Sequence, residues 1–331
     1  MIIDVHTHIV PEHFPPVASR LAGKHWPCMD HVEPGSANVM IAGRNFRTVL
    51  DRCWHVPRRL REMAEPSYAV DRQVLSPMPE LLAYGLEPQD GVDLARHLNE
   101  TLMRMVEQAP ERFYALGSVP LQDIDLATAE LQRVKALGLN GVELLSNVNG
   151  KSLGEAEFLP FFQAAEALDL AIFVHAQHPT FMDRVVGPPF LQNAVGFPIE
   201  GALAIASIIT GKVMEACPGL RLAFSHGGGT FMQLLPRMEN AWHKNPTIKD
   251  LLPKPPSDYA RLFFYDDIFF DNRTLQYLLD TVGHRQIMIG SDYPFMFRDQ
   301  TPEAEFDAIG LTEAERQAVG SGNCLRFLGL V

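Results

Sequence analysis

Two histidines stand two residues apart near the start of the chain, directly after a short and mostly apolar run. Ile2–Val5 is predicted to be a β-strand, and His6 and His8 follow it. Because side chains at positions i and i+2 of a strand project to the same side, both imidazoles can hold one ion. Neutral imidazole nitrogens suit a borderline divalent metal such as zinc, so the pair indicates a candidate metal site.

Three further ionisable side chains follow apolar runs elsewhere in the chain. His175 comes directly after AIFV, His226 directly after RLAFS, and Asp292 follows QIMI with two residues between. Taken singly, each has an ordinary explanation: a hydrogen-bonded core histidine, a tight glycine turn, or the N-cap of a helix. A shared site requires all three to meet His6 and His8 in space, and this depends on the fold.

The apolar runs predict an α/β fold, a (β/α)8 TIM barrel. They are continuous rather than alternating, which is typical of strands covered on both faces, and helical patterns separate them. In such a barrel the carboxyl ends of the strands form the active-site face, so the five side chains converge there. A doubly wound open sheet is the alternative, but no GxGxxG follows a strand. Strands are predicted at Ile2–Val5, Gln73–Ser76, Tyr114–Val119, Gly141–Leu145, Ala171–Val174, Arg221–Ser225, Phe263–Tyr265 and Gln286–Ile289.

A barrel needs about 250 residues, so the 331 residues leave room for additions within one domain, 1–331. The clearest is an insertion at 11–50, after the first strand, which we expect to cap the barrel mouth. A C-terminal helix is predicted at Thr312–Leu328, where Thr312 and Glu315 form a capping-box pattern. The other predicted helices are Asp90–Ala109, Asp123–Leu137, Leu153–Leu168 and Ile199–Ala216.

The composition limits the partners of the chain. A formal net charge of −12 repels nucleic acid and anionic membranes, and no continuous apolar segment of about 18 residues is present. A small carboxylate substrate would therefore need a local cationic pocket. No signal peptide is predicted, and the cysteines form no CxxC pair, which fits a cytoplasmic enzyme with reduced thiols. These cysteines are Cys28, Cys53, Cys217 and Cys324.

The motifs IIDVHTHIVPEHF, GRNFRTV, FSHGGGTF, RMENAWH and IMIGSDYPF span nearly the whole chain and resemble those of the amidohydrolase superfamily. The resemblance is to its decarboxylase branch, typified by 2-amino-3-carboxymuconate 6-semialdehyde decarboxylase. It implies one divalent metal ion, Zn²⁺ first and Mn²⁺ as the alternative. The implied ligands are His6, His8, His175 and Asp292. The fourth strand, GVELL, lacks the lysine that binuclear members carbamylate, and whether its Glu143 reaches the site stays open.

The resemblance also implies roles for other side chains. His226 corresponds to the catalytic histidine, Asp292 is a second candidate for proton delivery, and Arg47 corresponds to the arginine that binds the substrate carboxylate. Phe295 matches an aromatic residue of the pocket. Arg237 matches an arginine inserted from a neighbouring subunit, which implies a homodimer or higher homo-oligomer.

The sequence favours a structural position for four arginines that follow Arg47, and it leaves the role of His178 open. Arg52, Arg58, Arg59 and Arg61 are predicted to lie on a solvated helix face. The segment after His175 departs from the family pattern, which leaves the substrate and the role of His178 open.

The predicted function is metal-dependent, non-oxidative decarboxylation of a small unsaturated or aromatic carboxylic acid. The alternative is a metal-dependent hydrolase or hydratase that cleaves a C–N, C–O or C–C bond at the same site. A metal-binding protein without activity is a third hypothesis, and it leaves unexplained a titratable His226 beside the metal.

Overall fold

The computed structural model describes residues 1–15, 26–295 and 301–331. Its strands are numbered here in chain order. They are β1 (Ile3–Ile9), β2 (Cys28–Glu33), β3 (Ser36–Ile41), β4 (Arg44–Leu50), β5 (Arg72–Pro77), β6 (Phe113–Gly117), β7 (Gly141–Leu145), β8 (Asn147–Val148), β9 (Lys151–Ser152), β10 (Ala171–His175), β11 (Leu222–Phe224), β12 (Phe264–Asp266) and β13 (Ile287–Met288).

Eight of these strands form a parallel barrel in the order β1-β5-β6-β7-β10-β11-β12-β13. The barrel closes between its last and first strands, where the Val5 amide donates to the Ile289 carbonyl at 2.8 Å. The predicted (β/α)8 barrel is therefore confirmed, with all eight predicted strands present. The main difference is at β1, which continues to Ile9, so that His6 and His8 lie within the strand.

Helices surround the barrel, and their ends follow the capping residues of the sequence. The Asp123 side chain accepts from the Leu126 amide at 3.0 Å, and the helix it caps ends at Gly138 in the left-handed conformation. The helices are α1 (Val56–Met63), α2 (Pro88–Gln108), α3 (Ile124–Leu137), α4 (Leu159–Ala167), α5 (Phe197–Thr210), α6 (Val213–Ala216), α7 (Phe231–Lys244), α8 (Pro246–Leu251), α9 (Pro256–Ala260), α10 (Asn272–Val282), α11 (Pro302–Ile309), α12 (Glu313–Gln317) and α13 (Asn323–Phe327).

The predicted C-terminal helix begins where expected but is not continuous. Thr312 and Glu315 form the reciprocal capping box, and a π-helical segment, Ala318–Gly322, separates α12 from α13. Phe327 of α13 packs against Phe264 at the start of β12, with ring centroids 5.6 Å apart. Together with Ile3 and other interior side chains they form an apolar cluster. This cluster closes the barrel at the amino-terminal ends of its strands and leaves the other end open.

The residues after β1 form a second, antiparallel sheet in the order β2-β3-β4. Val39 and Val49 of this sheet pack against Leu81, Leu94 and Leu98 of the barrel. Residues 16–25 of the predicted insertion at 11–50 lie outside the described residues.

One described segment, Gln192–Thr210, is long and apolar enough by composition to cross a membrane. It contains α5, which lies in the helical layer around the barrel, and half of the segment is buried there. Burial against a barrel accounts for the apolar composition of such a helix.

The arginines in and near α1 were predicted to lie on a solvated helix face, and the structure does not bear this out for all of them. Arg61 is exposed and Arg58 pairs with Glu62, with 2.9 Å between Nε and Oε1, but Arg59 is fully buried. The prediction is wrong for Arg59 because this residue, with Val56 and Met63, occupies the buried stripe of the helix.

The buried Arg59 guanidinium has polar and aromatic partners on several elements. It donates to the His8 carbonyl and, at 3.1 Å, to the side-chain oxygen of Gln73. Its Nε donates to the Arg52 carbonyl at 3.2 Å, and its carbon Cζ lies 4.7 Å from the Tyr293 ring centroid. Arg59 thereby ties α1 to β1 at His8, one of the candidate ligands.

Replacing Arg59 is expected to destabilise the fold. Arg59→Met keeps much of the volume but leaves the His8 carbonyl and Gln73 oxygen without their buried donor. We expect a loss of about 2–4 kcal/mol in the free energy of unfolding, measured by chemical denaturation. Arg61→Met is the matched exposed control and should change it by less than about 0.5 kcal/mol. Equal stability of the two variants would contradict this role of Arg59.

Candidate metal centre

Four ionisable side chains meet at the carboxyl ends of the barrel strands. Single ligand atoms of His6, His8, His175 and Asp292 all lie within 4.8 Å of one another. The three histidines are buried, and the aspartate side chain is 14% exposed. The residues come from β1, from the end of β10 and from the segment after β13, so the parallel barrel brings them together.

His6 and His8 of β1 both direct their Nε2 atoms to a common point. His6 Nδ1 lies 2.6 Å from Asp266 Oδ2, and His8 Nδ1 lies 3.1 Å from the Pro77 carbonyl oxygen. Because these partners accept hydrogen bonds, each Nδ1 carries the proton and each Nε2 keeps its lone pair. The two Nε2 atoms are only 3.1 Å apart. A shared cation would turn this repulsive contact into a favourable one.

His175 completes the same arrangement from the opposite side. Its Nδ1 lies 2.9 Å from the Ala176 carbonyl oxygen, which again leaves Nε2 with its lone pair. That Nε2 is buried and has no hydrogen-bond partner among the described residues. An unpartnered buried acceptor is costly, and a metal ion would satisfy it. Burial, followed by the neighbouring His6, holds the pKa of His175 well below its ordinary value, which keeps the ring neutral for ligation.

Asp292 adds the anionic donor. Its Oδ1 lies 3.1 Å from His8 Nε2 and 3.7 Å from His6 Nε2. Burial acts to raise the pKa of Asp292, but the contact with His8 and the electrostatic effect of the neighbouring histidine rings outweigh it and lower the pKa to about 2. The backbone has a positive φ of 60°, and the Asp292 amide donates to the His6 carbonyl at 2.9 Å. Three neutral imidazoles and one carboxylate are a donor set that fits a divalent cation such as zinc.

The buried carboxylate of Asp4 connects the strand that carries His6 and His8 to the segment that carries Asp292. Asp4 accepts hydrogen bonds from the hydroxyl groups of Tyr68 and Ser291 and, at 3.1 Å, from the His6 amide. Burial raises the pKa of Asp4 to about 6, although these hydrogen bonds oppose the increase. Asp4 thereby links His6 to Ser291, the residue directly before Asp292.

His226 lies beside the ligands on a tight glycine turn. Its ring centroid is 5.1 Å from that of His175 and 5.3 Å from that of His6. The turn requires glycine, because a Cβ at Gly227 would lie 1.8 Å from Phe269 and both His226 and Gly227 have positive φ. Nδ1 of His226 is buried and has no hydrogen-bond partner among the described residues. Burial, followed by the electrostatic effect of the neighbouring His6, lowers the pKa of His226, so that the ring is a neutral base.

Glu143 lies beneath the ligand cluster rather than in the open part of the site. It is fully buried, and its Oε1 is 4.0 Å from His8 Nδ1. Burial raises the pKa of Glu143 to about 8, which exceeds the opposing effect of His6. It is absent from the described residues that line the adjoining cavity.

A cavity of about 430 Å³ opens above the ligands. This volume lies within the range of small-molecule sites, about 300–1,000 Å³. His175 and Asp292 form part of its wall, with cationic, acidic and aromatic side chains around them. The described lining is Arg47, Thr48, Val49, Leu50, Arg52, Cys53, Pro79, Glu80, His175, Phe190, Asn193, Phe197, Asp292, Pro294 and Phe295.

The predicted substrate-binding pair, Arg47 and Phe295, meets in this cavity. The carbon Cζ of Arg47 lies 4.3 Å from the Phe295 ring centroid, and that ring stacks on His8 at 5.9 Å. Among the described residues no carboxylate forms an ion pair with Arg47. The guanidinium is therefore held by aromatic contact and remains able to bind an anionic ligand.

Two residues singled out by the sequence lie elsewhere. Arg237 is exposed on α7, away from the described lining of the cavity, and no ion pair to it is present in the described part of the chain. His178 is exposed on the loop after β10, where its carbonyl accepts from Asn147 at 3.2 Å. The structure therefore brings Arg47 and Phe295 to the ligands but not these two.

Sequence reasoning missed Arg52, Glu80 and Asp266. Asp266 had a usable signal, because it directly follows the predicted strand Phe263–Tyr265, and Glu80 had a weaker one, because it lies beyond the end of Gln73–Ser76. The prediction that Arg52 lies on a solvated helix face is wrong, because this residue lies in a short 3-10 turn, Asp51–Cys53, and lines the cavity.

Comparison with known proteins agrees with this geometry. The model of the amidohydrolase family matches residues 3–330. The 2-amino-3-carboxymuconate-6-semialdehyde decarboxylase of Dictyostelium discoideum is 35% identical over 99% of this chain and 91% of its own length. The gamma-resorcylate decarboxylase of Rhodococcus jostii (strain RHA1) is 28% identical over 74% of this chain and 79% of its own length.

A solved structure has the same fold. The IDCase of Metarhizium anisopliae, in its apo form, superposes with a TM-score of 0.83 and 21% identity over 99% of this chain and 97% of that one. A family match over nearly the whole length, with a relative above 30% identity, establishes the membership: the chain belongs to the amidohydrolase family.

Proposed function

We propose that this protein is a metal-dependent carboxy-lyase that removes CO2 without oxidation from a small unsaturated or aromatic carboxylic acid. The observation that carries the proposal is the position of Arg47. Its guanidinium has no acidic partner among the described residues and lies in the cavity that His175 and Asp292 also line. The names of the relatives, which are decarboxylases of a carboxymuconate semialdehyde and of a resorcylate, support the same reaction class.

The cavity orients a planar acid through two kinds of contact. The Arg47 guanidinium can bind a carboxylate with two parallel hydrogen bonds, and the Phe295 ring beneath it offers a flat apolar surface. In the proposal, the sheet β2–β4 covers the barrel mouth, because four consecutive residues of β4, 47–50, line the cavity. Fixing the acid in one orientation contributes to the rate by positioning.

The ligand set His6, His8, His175 and Asp292 is proposed to hold one divalent cation, Zn²⁺ first and Mn²⁺ as the alternative. Three imidazole nitrogens and one carboxylate favour zinc over a hard cation such as magnesium. When bound, such a cation polarises the oxygen atoms next to it and supplies positive charge to the substrate acid.

His226 is proposed to move the proton that replaces the carboxyl group. Decarboxylation breaks the C–C bond to the carboxylate, leaves the electron pair on the substrate carbon and releases CO2, so that carbon must gain one proton. Nδ1 of His226 is buried without a partner among the described residues, and the ring lies 5.1 Å from His175. A neutral imidazole with a lowered pKa can take up and release that proton. Asp292 is the second candidate for its delivery.

The active unit is proposed to be a homodimer or a higher homo-oligomer. Val195, Ile199 and Leu203 repeat every four residues and are 37–47% exposed, and Leu234 of α7 is 43% exposed. Exposed Arg237 lies one helical turn from Leu234. Such an apolar stripe supports an interface between subunits, with Arg237 entering the site of the partner.

The location is proposed to be the cytoplasm. The four cysteines are unpaired, and three of them are buried. Reduced thiols of this kind fit a reducing compartment.

Isotope labelling tests the reaction directly. We expect the metal-loaded protein to release CO2 from gamma-resorcylate or 2-amino-3-carboxymuconate 6-semialdehyde. In D2O the organic product should carry one deuterium on the carbon that lost the carboxyl group. In ¹⁸O-labelled water the product of gamma-resorcylate should gain no label, because no bond to water oxygen forms. Label in an acid product without CO2 release would establish the hydrolase or hydratase alternative instead.

Replacing His226 is expected to lower kcat without changing the metal content of the protein. His226→Gln should lower kcat by about 100-fold or more, since general acid–base groups contribute about 10²–10⁴-fold. Its metal content, measured by elemental analysis, should equal that of the unaltered protein because His226 is not a proposed ligand. The exposed His243→Gln serves as the control and should change neither quantity. Full turnover by His226→Gln would exclude this mechanism.

Replacing Arg47 is expected to weaken substrate binding without affecting metal content. Arg47→Ala should raise KM by about 10- to 100-fold, the effect of losing a charged hydrogen bond. Arg44→Ala, at an exposed position of the same strand, is the matched control and should leave KM unchanged.

Subunit mixing tests the proposed role of Arg237. Arg237→Ala and His226→Gln should each be weakly active alone, and exchange of their subunits should restore part of the activity. The mixed dimer has one site with both residues intact. Verified exchange without recovery of activity would show that each subunit works alone.

A further inference from the structure

The acidic side chain Glu80 lies in the wall of the cavity that also contains Arg47 and Arg52. Among the described residues, the cavity wall therefore contains two arginines and, apart from Asp292, one further carboxylate. Its only acid with a proposed task so far is Asp292, which belongs to the ligand set. An additional carboxylate in a site for a carboxylate substrate repels that substrate, unless the substrate also carries a group that binds it.

The backbone holds Glu80 firmly in this place. It is the middle residue of a 3-10 turn, Pro79–Leu81, which Met78 alone separates from β5. The Leu81 amide donates to the Met78 carbonyl at 2.8 Å, and the Met78 amide donates to the Ile9 carbonyl at 2.9 Å. Met78 and Leu81 are fully buried on either side, whereas Glu80 is half-buried. The turn is thus anchored to β1, the strand that carries two of the ligands.

The Glu80 carboxylate has no hydrogen bond or ion pair among the residues that the structure describes. Its charge nevertheless acts on the surroundings. Burial is the main cause of the raised pKa of Glu143, and the charge of Glu80 adds to it. An acceptor that is fixed in a ligand cavity and lacks a partner among the described residues is suited to a donor on the ligand.

We propose that Glu80 determines substrate specificity by accepting a hydrogen bond from an amino or hydroxyl group of the substrate. The inference rests on the proposed function, because it concerns the acid bound in the same cavity. It defines the substrate class as a small planar acid with one carboxylate near Arg47 and a hydrogen-bond donor near Glu80. The same carboxylate rejects acids that carry a second carboxylate at the position of the donor.

Binding measurements on non-reactive probes test the proposal without requiring turnover. The metal-loaded protein is titrated calorimetrically with benzoate, the 3- and 4-isomers of aminobenzoate and hydroxybenzoate, isophthalate and terephthalate. At one ring position, we expect the amino or hydroxyl acid to bind about 10-fold tighter than benzoate. The dicarboxylate of that position should bind more weakly than benzoate.

Two variants separate the charge of Glu80 from its hydrogen-bonding capacity. Glu80→Leu should abolish the preference for the donor-bearing acid, because it removes the acceptor. Glu80→Gln keeps an acceptor oxygen without the charge, so it should retain part of that preference and bind the dicarboxylate about 10-fold tighter. Glu111→Gln, an exposed position before β6 at the other end of the barrel, is the matched control. It should leave all ratios of affinity unchanged.

The outcomes distinguish this proposal from the proposed function. Two affinity ratios are compared between the variants and the unaltered protein: donor-bearing acid to benzoate, and dicarboxylate to benzoate. Changes of at least threefold in both ratios support the role of Glu80. Smaller changes, or failure of the unaltered protein to bind any donor-bearing acid, overturn it. If the affinities follow the expected order but no CO2 is released from any substrate, the proposed function fails and the specificity role stands.

Discussion

The structure depends on one electrostatic constraint: three imidazole rings direct their unprotonated nitrogens to a common point. Each ring has its other nitrogen fixed by an acceptor, namely Asp266, the Pro77 carbonyl or the Ala176 carbonyl. Lone pairs brought this close repel one another, and burial removes the water that could separate them. A divalent cation at that point converts the repulsion into ligation, with Asp292 supplying negative charge. The surrounding protein fixes the rings before any cation binds, which reduces the cost of ordering the site.

Buried polar groups behind the ligands keep this constraint in place. Arg59 and Asp4 are both fully buried, and both contact the backbone of β1 next to a ligand histidine. Asp4 also binds Ser291, beside Asp292, so the first and last strands of the barrel are held in register at the site. At the carboxyl ends of the strands, ligands held by buried polar groups thus lie beneath an open cavity. Specificity can change in that cavity through residues such as Glu80 without disturbing the ligands.

Local patterns in the sequence predicted the barrel and the five candidate side chains at its strand ends, and the resemblance to a family implied which four of them are ligands. Continuous apolar runs mark buried parallel strands, and a polar residue at the end of each run marks the active face. The burial of Arg59 could not be predicted in this way, since α1 alone reads as a charged surface helix and its partners lie on β1 and β5. Likewise, the position of Arg47 over Phe295 joins two segments almost 250 residues apart, and the resemblance to a family, rather than any spacing, indicated it. Glu80 was predictable in principle, because it follows the predicted strand Gln73–Ser76.

A crystal structure of the zinc- or manganese-loaded protein, with anomalous scattering data collected at the metal edge, tests the central claim most directly. The account predicts one anomalous peak per chain, bonded at about 2.0–2.2 Å to Nε2 of His6, His8 and His175 and to a carboxylate oxygen of Asp292. His226 should lie outside that coordination sphere. A metal bound by other side chains, or a fully loaded protein with no peak among these four residues, would contradict it.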